Sequence, residues 1–277
     1  MKSDEDLKKA VRQGYGQIAQ EKQCSCCGPS SCWGGTDVAE EVSRKIGYSD
    51  GEIASVPDGA NLGLGCGNPV AMASLREGET VLDLGSGAGV DCFLAAKRVG
   101  EVGHVIGVDM TPEMVARARE NAEKGGYRNV EFRLGEIDHL PVESGSVDVI
   151  ISNCVINLVP DKANAFSEAF RVLRPGGRLM ISDIVLLKDL PESIRRSTAA
   201  YVGCLSGAVQ REVYLAAIRA AGFSRVEVQD ETPFPLDCLA SDGTMQAVMR
   251  DMKIGPRDLQ AIGEVVRSLK VSAMKKS

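Results

Sequence analysis

The sequence predicts an α/β fold built on a mostly parallel sheet, and two observations carry that prediction. From Thr80 onward, short β-branched apolar runs alternate with amphipathic helical patterns. A glycine-rich turn follows the first of these runs, and a carboxylate closes the second. The alternation requires helices on both faces of a parallel sheet. The turn and the acid form the layout of a nucleotide-binding crossover.

Before the alternation, residues 1–60 read as an irregular, cysteine-bearing helical arm. A polar helix runs through about Ala19 into the segment CSCCGPSSCWGG, whose Gly and Pro forbid a long regular element. A second helix is expected over Asp37 to Lys45, with Gly47 as its stop. TVLDLG, HVIGVD, VEFRLG, SVDVIIS and GRLMISD then have strand length and composition. Thr111-Pro112 opens a helix that Gly125-Gly126 closes. Asp161 caps the next, with Phe166, Ala169, Phe170 and Leu173 at helical spacing. Helices are expected around Glu192 to Tyr201 and Glu212 to Ala221, then strands at RVEVQD and MQAVMR, and a terminal helix over Asp258 to Leu269.

Composition narrows the function classes. A net charge of -6 argues against a nucleic-acid partner, which needs a concentrated basic face. With one Trp and six Phe, base stacking is also a poor explanation. No apolar run reaches membrane-spanning length, and MKSDEDLKKA is not a secretory signal, so a soluble, cytoplasmic protein is expected. Nine cysteines leave at least one unpaired, and in a reducing compartment they read as ligands, redox groups or small core residues. His104 and His139 stand isolated, and no role is assigned to them.

In VLDLGSGAGVD, the glycines Gly85, Gly87 and Gly89 allow a sharp turn and close approach of backbone to ligand. Asp109 ends the next strand, 26 residues beyond Asp83, where a ribose-binding carboxylate belongs. A dinucleotide fold would seat a pyrophosphate at this turn. Asp83 directly before the glycines is awkward there and better suits a cationic ammonium and sulfonium. The turn resembles the first motif of class I S-adenosylmethionine-dependent methyltransferases. The resemblance continues through GVDMTPEM, GEIDHLP, SNCVINL and LRPGGRLMISD, over about 80 to 185. It implies a Rossmann-like fold with a seven-stranded, mostly parallel sheet. It also implies that Asp109 holds the ribose, Met110 packs on the adenine, Glu136 and Ile137 bound its amino edge, and Asn153 lies by the methionine moiety. A lone loop glutamate is ordinarily a solvated carboxylate, but the place of Glu136 after the third strand favours binding. Asp183 reads as a strand-end residue with no chemical duty.

Three single cysteines carry the specific part of the reading: Cys66 in GLGCGNP, Cys154 in SNCVINL and Cys204 in YVGCLSG. Cys154 follows the fourth strand at the cofactor mouth. Cys66 lies between Gly65 and Gly67, where its thiol is expected to face a pocket. Cys204 by itself reads equally well as a buried small residue. With VRQGYG and the N-terminal Cys-Cys, these motifs closely resemble the arsenite S-adenosylmethionine methyltransferases, over about Val11 to Gly207. The resemblance implies that Cys66, Cys154 and Cys204 bind arsenite as substrate and that Tyr15 covers the cofactor, although a packed tyrosine reads nearly as well. Thiolates are the soft ligands that trivalent arsenic requires, and in-line transfer to its lone pair needs positioning rather than a base. Cys92 and Cys238 read as structural.

The segment CSCCGPSSC reads either as a zinc knot of Cys24, Cys26, Cys27 and Cys32, which lacks paired CxxC knuckles, or as a redox cluster. In the second reading Cys26 or Cys27 returns oxidised arsenic to the trivalent state, and thioredoxin or glutathione is the external thiol reductant that the family implies. No resident metal cofactor is expected. The chain thus divides into an arm (1–60), an S-adenosylmethionine-binding core (61–185) and a small substrate-side segment that completes the sheet (186–277). Two other functions remain open at this point: a methyltransferase for an organic oxygen or carbon acceptor, and a non-catalytic metalloid-binding protein.

Overall fold

The computed structural model describes residues 3–20, 36–234 and 262–277. Among these, seven strands form one sheet in the order β3-β2-β1-β4-β5-β7-β6. The parallel strands are β1 (Thr80–Leu84), β2 (His104–Asp109), β3 (Val130–Leu134), β4 (Val147–Asn153) and β5 (Leu173–Leu186). β7 (Val266–Met274) inserts antiparallel between β5 and β6 (Ser224–Pro233). The chain winds outward from β1 to β3 and then returns to β4, so the order reverses between β1 and β4. In an open α/β sheet, ligands bind at such a reversal, beyond the carboxyl ends of the strands.

Period-2 alternation along the strands builds two cores. Val81, Val149 and Ile151 join the layer that holds Phe93 of α5 (Val90–Val99). Leu82, Leu84 and Ile150 join the layer that holds Phe166 of α7 (Lys162–Val172). There Phe166 meets Tyr214 of α10 (Arg211–Ala220) edge to face, with centroids 5.5 Å apart. Burial on both faces is what a parallel sheet demands.

The arm contains α1 (Asp4–Gln20), α2 (Thr36–Lys45) and α3 (Asp50–Ser55), and α4 (Pro69–Met72) follows it before β1; the sequence reading distinguished neither α3 nor α4. Ser49 and Glu52 form a capping box on α3. α1 is tied to the loop after β3 by Lys8, whose Nζ lies 2.5 Å from Glu136 and 2.7 Å from Asp138. Arg117 of α6 (Pro112–Gly125) donates to Ala19 O at 3.0 Å.

Four expectations change. Of the terminal helix expected over Asp258 to Leu269, 262–265 are helical but 266–269 open strand β7, and 258–261 lie outside the described residues. Leu269, Val271 and Ala273 are buried at alternate positions, so ladder pairing on both sides overrides the helical pattern. The single helix around Glu192 to Tyr201 is two, α8 (Glu192–Arg195) and α9 (Thr198–Val202), because the Ser197 hydroxyl caps Ala200 N and starts a new turn. Thr111 precedes α6 as expected, but its hydroxyl makes no cap bond; its backbone N–H donates to Asp109. β5 also runs on past Asp183 to Leu186. MQAVMR lies outside the described residues.

No helix among the described residues is long and apolar enough to cross a membrane. Asp161 caps α7 by accepting from Asn164 N at 2.9 Å. Asp161→Ala is expected to cost about 1 kcal/mol of stability, measurable as a lower urea midpoint with an unchanged slope.

Candidate active site

A cavity of about 1030 Å³ opens at the carboxyl ends of the central strands. Asp83, Gly85, Gly87, Asp109, Met110, Glu136, Ile137, Asn153 and Tyr15, the residues assigned to the cofactor from sequence, all line it, except that Gly89 does not. A Cβ at Gly89 would strike Phe93 and Phe132, so that glycine serves the packing of α5 on the sheet. Gly85 has φ +68°, and a Cβ there would lie 2.2 Å from Val155. Only glycine permits both the left-handed backbone and the close approach.

The acids around this turn are held in place. Asp109 accepts from Gly87 N at 2.9 Å and from Thr111 N at 2.8 Å, and burial pushes its carboxyl up. Asp83 is 2% exposed and accepts from the Cys92 thiol at 3.2 Å. Burial, and then the neighbouring Asp91, push it well above the ordinary carboxylate range. Glu136 pairs with Lys8 and lies 3.5 Å from Arg12, two partners on α1 that sequence reasoning missed.

The three single cysteines meet beside this turn. A carboxylate oxygen of Asp183 and the sulfurs of Cys66 and Cys154 all lie within 4.8 Å of one another. The Cys204 sulfur donates to Cys154 O at 3.0 Å. Cys154 and Cys204 line the cavity, whereas Cys66, 3% exposed, does not, although its sulfur lies within 4.8 Å of that of Cys154. The expectation that the Cys66 thiol faces the pocket is therefore corrected: its sulfur packs inward, 3.8 Å from Ser182 Oγ. A Cβ at Gly67 would lie 2.0 Å from that same oxygen, which is why the loop needs glycine after Cys66.

Cys154 (φ +58°) and Cys204 (φ +62°) both occupy the left-handed region. For a residue with a Cβ, this costs about 1–2 kcal/mol and persists where the surroundings impose it. The imposing bonds are Cys154 N to Ser182 O, 2.8 Å, and Cys204 N to Tyr201 O, 3.0 Å. Hydrogen bonding to Cys204 and to Cys66, then burial, hold the Cys154 thiol well above its ordinary value. Burial pushes Cys66 up as well. Cys66 and Cys154 are thus held as protonated thiols at rest. Tyr15 Oη donates to Val202 O at 3.3 Å and stands 3.9 Å from the Cys204 sulfur. Cys24, Cys26, Cys27, Cys32 and Cys238 lie outside the described residues.

A family model described as a methyltransferase domain matches residues 75–232. An arsenite methyltransferase of Halobacterium salinarum is 50% identical over 235 residues, 81% of this chain and 59% of that protein. The human arsenite methyltransferase is 43% identical over 154 residues, 52% of this chain and 40% of that protein. The crystal structure of CrArsM, an arsenic(III) S-adenosylmethionine methyltransferase from Chlamydomonas reinhardtii, superposes with a TM-score of 0.61 at 34% identity, covering 85% of this chain and 73% of that one. The chain belongs to the arsenite methyltransferase family. It spans little more than half the length of the Halobacterium relative.

In this member of the arsenite methyltransferase family, a buried polar network that the sequence did not disclose positions the cysteines. Asn153 Oδ1 accepts from Cys66 N at 3.0 Å. Its Nδ2 donates to Gly67 O at 2.8 Å, Tyr48 Oη at 2.9 Å and Asp91 at 3.3 Å. Tyr48 Oη in turn donates to Asp91 at 2.7 Å. Asn153 thus lines the cavity while both ends of its amide are committed to the Cys66 loop. Asp183, expected to have no duty, is fully buried and accepts from Asn157 Nδ2 at 2.8 Å and Tyr214 Oη at 2.9 Å. The continuation of β5 through Asp183 puts that carboxylate under the thiols. The acid directly after GAGV was the one readable signal for Asp91; Tyr48 and Asp183 have no local signature.

Burial pushes the Asp91 carboxyl from 3.8 to about 6, against the hydrogen bonds from Tyr48 and Asn153. The folded chain therefore holds this proton more tightly than the unfolded chain. Its stabilisation is complete below about pH 3.8 and lost as pH rises through about 6. Asp91→Asn is expected to flatten the decline of stability across that window, as read from urea midpoints followed by circular dichroism.

Proposed function

We propose that the chain transfers a methyl group from S-adenosylmethionine to trivalent arsenic held by Cys66, Cys154 and Cys204, producing methylated arsenicals. The observation that carries this reading is that three buried thiols from separate segments converge beside a cavity whose other wall is the glycine turn. Redundant core cysteines would have no reason to adopt left-handed backbone at two of the three positions.

The residues present fit the cofactor. A Cβ at Gly87 would meet no protein atom within 4 Å, so the backbone there is open to a ligand. Asp83, Asp109 and Glu136 supply the negative charge that an ammonium, a ribose and an adenine edge require. S-adenosylmethionine, when bound, supplies the electrophilic methyl. Met110 and Ile137 offer the apolar walls for adenine, and Tyr15 the cover above Cys204.

Neutral thiols suit arsenite exchange. Each sulfur replaces one hydroxyl, and its proton leaves with that oxygen as water. Counted as three S–H groups and neutral arsenite, the exchange gives a neutral tris-thiolate and three waters, so no net charge is buried. Three sulfur bonds leave the arsenic lone pair for the methyl carbon, and the remaining requirement is alignment. Transfer raises arsenic formally to the pentavalent state. Cys26 or Cys27 is assigned its return, two thiols giving up two electrons and forming a disulfide that thioredoxin or glutathione then reduces.

The test is an assay with arsenite, S-adenosylmethionine and a dithiol, with arsenic species separated and counted. Methylated arsenic above a no-enzyme control is expected, and its absence sinks the reading. Cys154→Ser and Cys204→Ser are each expected to lower turnover about a hundredfold, and Cys92→Ser, which keeps a donor to Asp83, to stay within about twofold. Unchanged turnover of an organic acceptor by the Cys154 and Cys204 variants would point to an ordinary oxygen or carbon methyltransferase instead. Replacing Cys26 and Cys27 together by Ser is expected to spare the first methyl transfer and stop later ones, which single-turnover and multiple-turnover product counts distinguish.

A further inference from the structure

Trivalent arsenic forms three bonds to sulfur, and the proposed arsenic set leaves one prepared donor unused. Asp183 has a carboxylate oxygen within 4.8 Å of both the Cys66 and Cys154 sulfurs. It is also oriented as metal-binding carboxylates are, by hydrogen bonds from behind. Oδ1 accepts from Asn157 Nδ2 and from Ile184 N, both at 2.8 Å, and Oδ2 accepts from Tyr214 Oη at 2.9 Å. Asn157 and Tyr214 are themselves fully buried, so this support is rigid.

We infer that Cys66, Cys154 and Asp183 form a site for a thiophilic divalent cation of the zinc and cadmium class, which competes with arsenite for the two shared cysteines. The inference rests on the arsenic reading only for that competition; the cation site itself rests on the donor geometry. Two sulfurs and one carboxylate oxygen are a donor set for such ions, with bonds of about 2.3 Å to sulfur and about 2.0–2.2 Å to oxygen. Tetrahedral angles then separate ligand atoms by roughly 3.5–3.8 Å, so donors within 4.8 Å of one another need close by no more than about 1 Å.

Charge separates the two occupants. Arsenic with three thiolates is neutral and gains nothing from a carboxylate. A divalent ion with two thiolates and Asp183 carries one negative charge, and the two thiol protons leave to buffer. Lys162, whose field acts on both Asp183 and Cys204, faces that charge. Cys204 is outside the cation set: its sulfur is turned to Cys154 O.

The two donor sets give opposite mutational patterns. In the full chain with Cys24, Cys26, Cys27, Cys32 and Cys238 replaced by Ser, reduced protein is titrated with Cd2+. Binding is read from the ultraviolet thiolate-to-cadmium charge-transfer band and from metal retained on gel filtration. One Cd2+ per chain is expected, displaced by arsenite. Asp183→Asn should weaken Cd2+ at least about tenfold and leave arsenite binding within about twofold, whereas Cys204→Ser should do the reverse. Should Asp183→Asn fail to fold, Tyr214→Phe, which only loosens the carboxylate, replaces it with the same direction of effect. Cd2+ affinity unchanged by the carboxylate variant, or lost with Cys204→Ser, overturns the inference. Cd2+ binding without arsenite binding leaves the inference standing and defeats the arsenic reading instead.

Discussion

The Asn153 side chain joins the segments whose ends meet at the cavity. One amide accepts from the backbone of the Cys66 loop and donates to that same loop, to Tyr48 from the arm and to Asp91 at the start of α5. Asn153 is also the last residue of β4 and pairs with Ser182 of β5, whose carbonyl then fixes Cys154. An amide at the cavity wall with both ends bonded to protein has one favoured orientation, because rotation would leave those donors and acceptors unpaired. The cysteine positions inherit that rigidity. The loop before β1, the turn after β4 and Ser182 of β5 are located by one shared constraint.

Around that constraint the protein accumulates groups that burial shifts towards their uncharged forms. Asp83 and Asp91 beside the glycine turn, and Cys66, Cys154 and Asp183 on the thiol side, are all shifted towards their protonated forms. Burial also pushes Lys162 down, with Asp183 and Cys204 opposing it. A pocket of this kind favours an exchange that is neutral in and neutral out, as in the arsenite reaction proposed above. It also favours cationic ligands over anionic ones, since the acids need only release a proton to welcome them. α1 closes one side of the cavity through the Lys8 pairs to Glu136 and Asp138, so the arm belongs to the site as much as the sheet does.

Much of the fold was legible because its signals are local. Each parallel strand announces itself by length and β-branching, and Asp161 is a cap within hydrogen-bonding reach of its own helix. The first residues of β7, 266–269, were read as the end of a helix because their apolar positions are compatible with both periods; the open ladder edges of β5 and β6 decide between them, and those are contributed from more than thirty residues away. Gly89 was assigned to the ligand when its neighbours are the rings of Phe93 and Phe132, a packing relation that no turn motif encodes.

The sequence by itself determined the sheet class, the glycine turn with its following acid, and which three cysteines stand alone beside turns. Period, composition and turn chemistry act over a few residues, and a sequence displays them directly. Only the tertiary structure decided that Cys66 does not line the cavity, that Cys154 and Cys204 are held in left-handed backbone, and that Asp183 sits under the thiols. Those facts depend on hydrogen bonds between segments tens to hundreds of residues apart, such as Ser268 Oγ to Cys66 O at 2.7 Å. Such bonds form only once the strand order is set, because the reversal between β1 and β4 is what brings their carboxyl ends together.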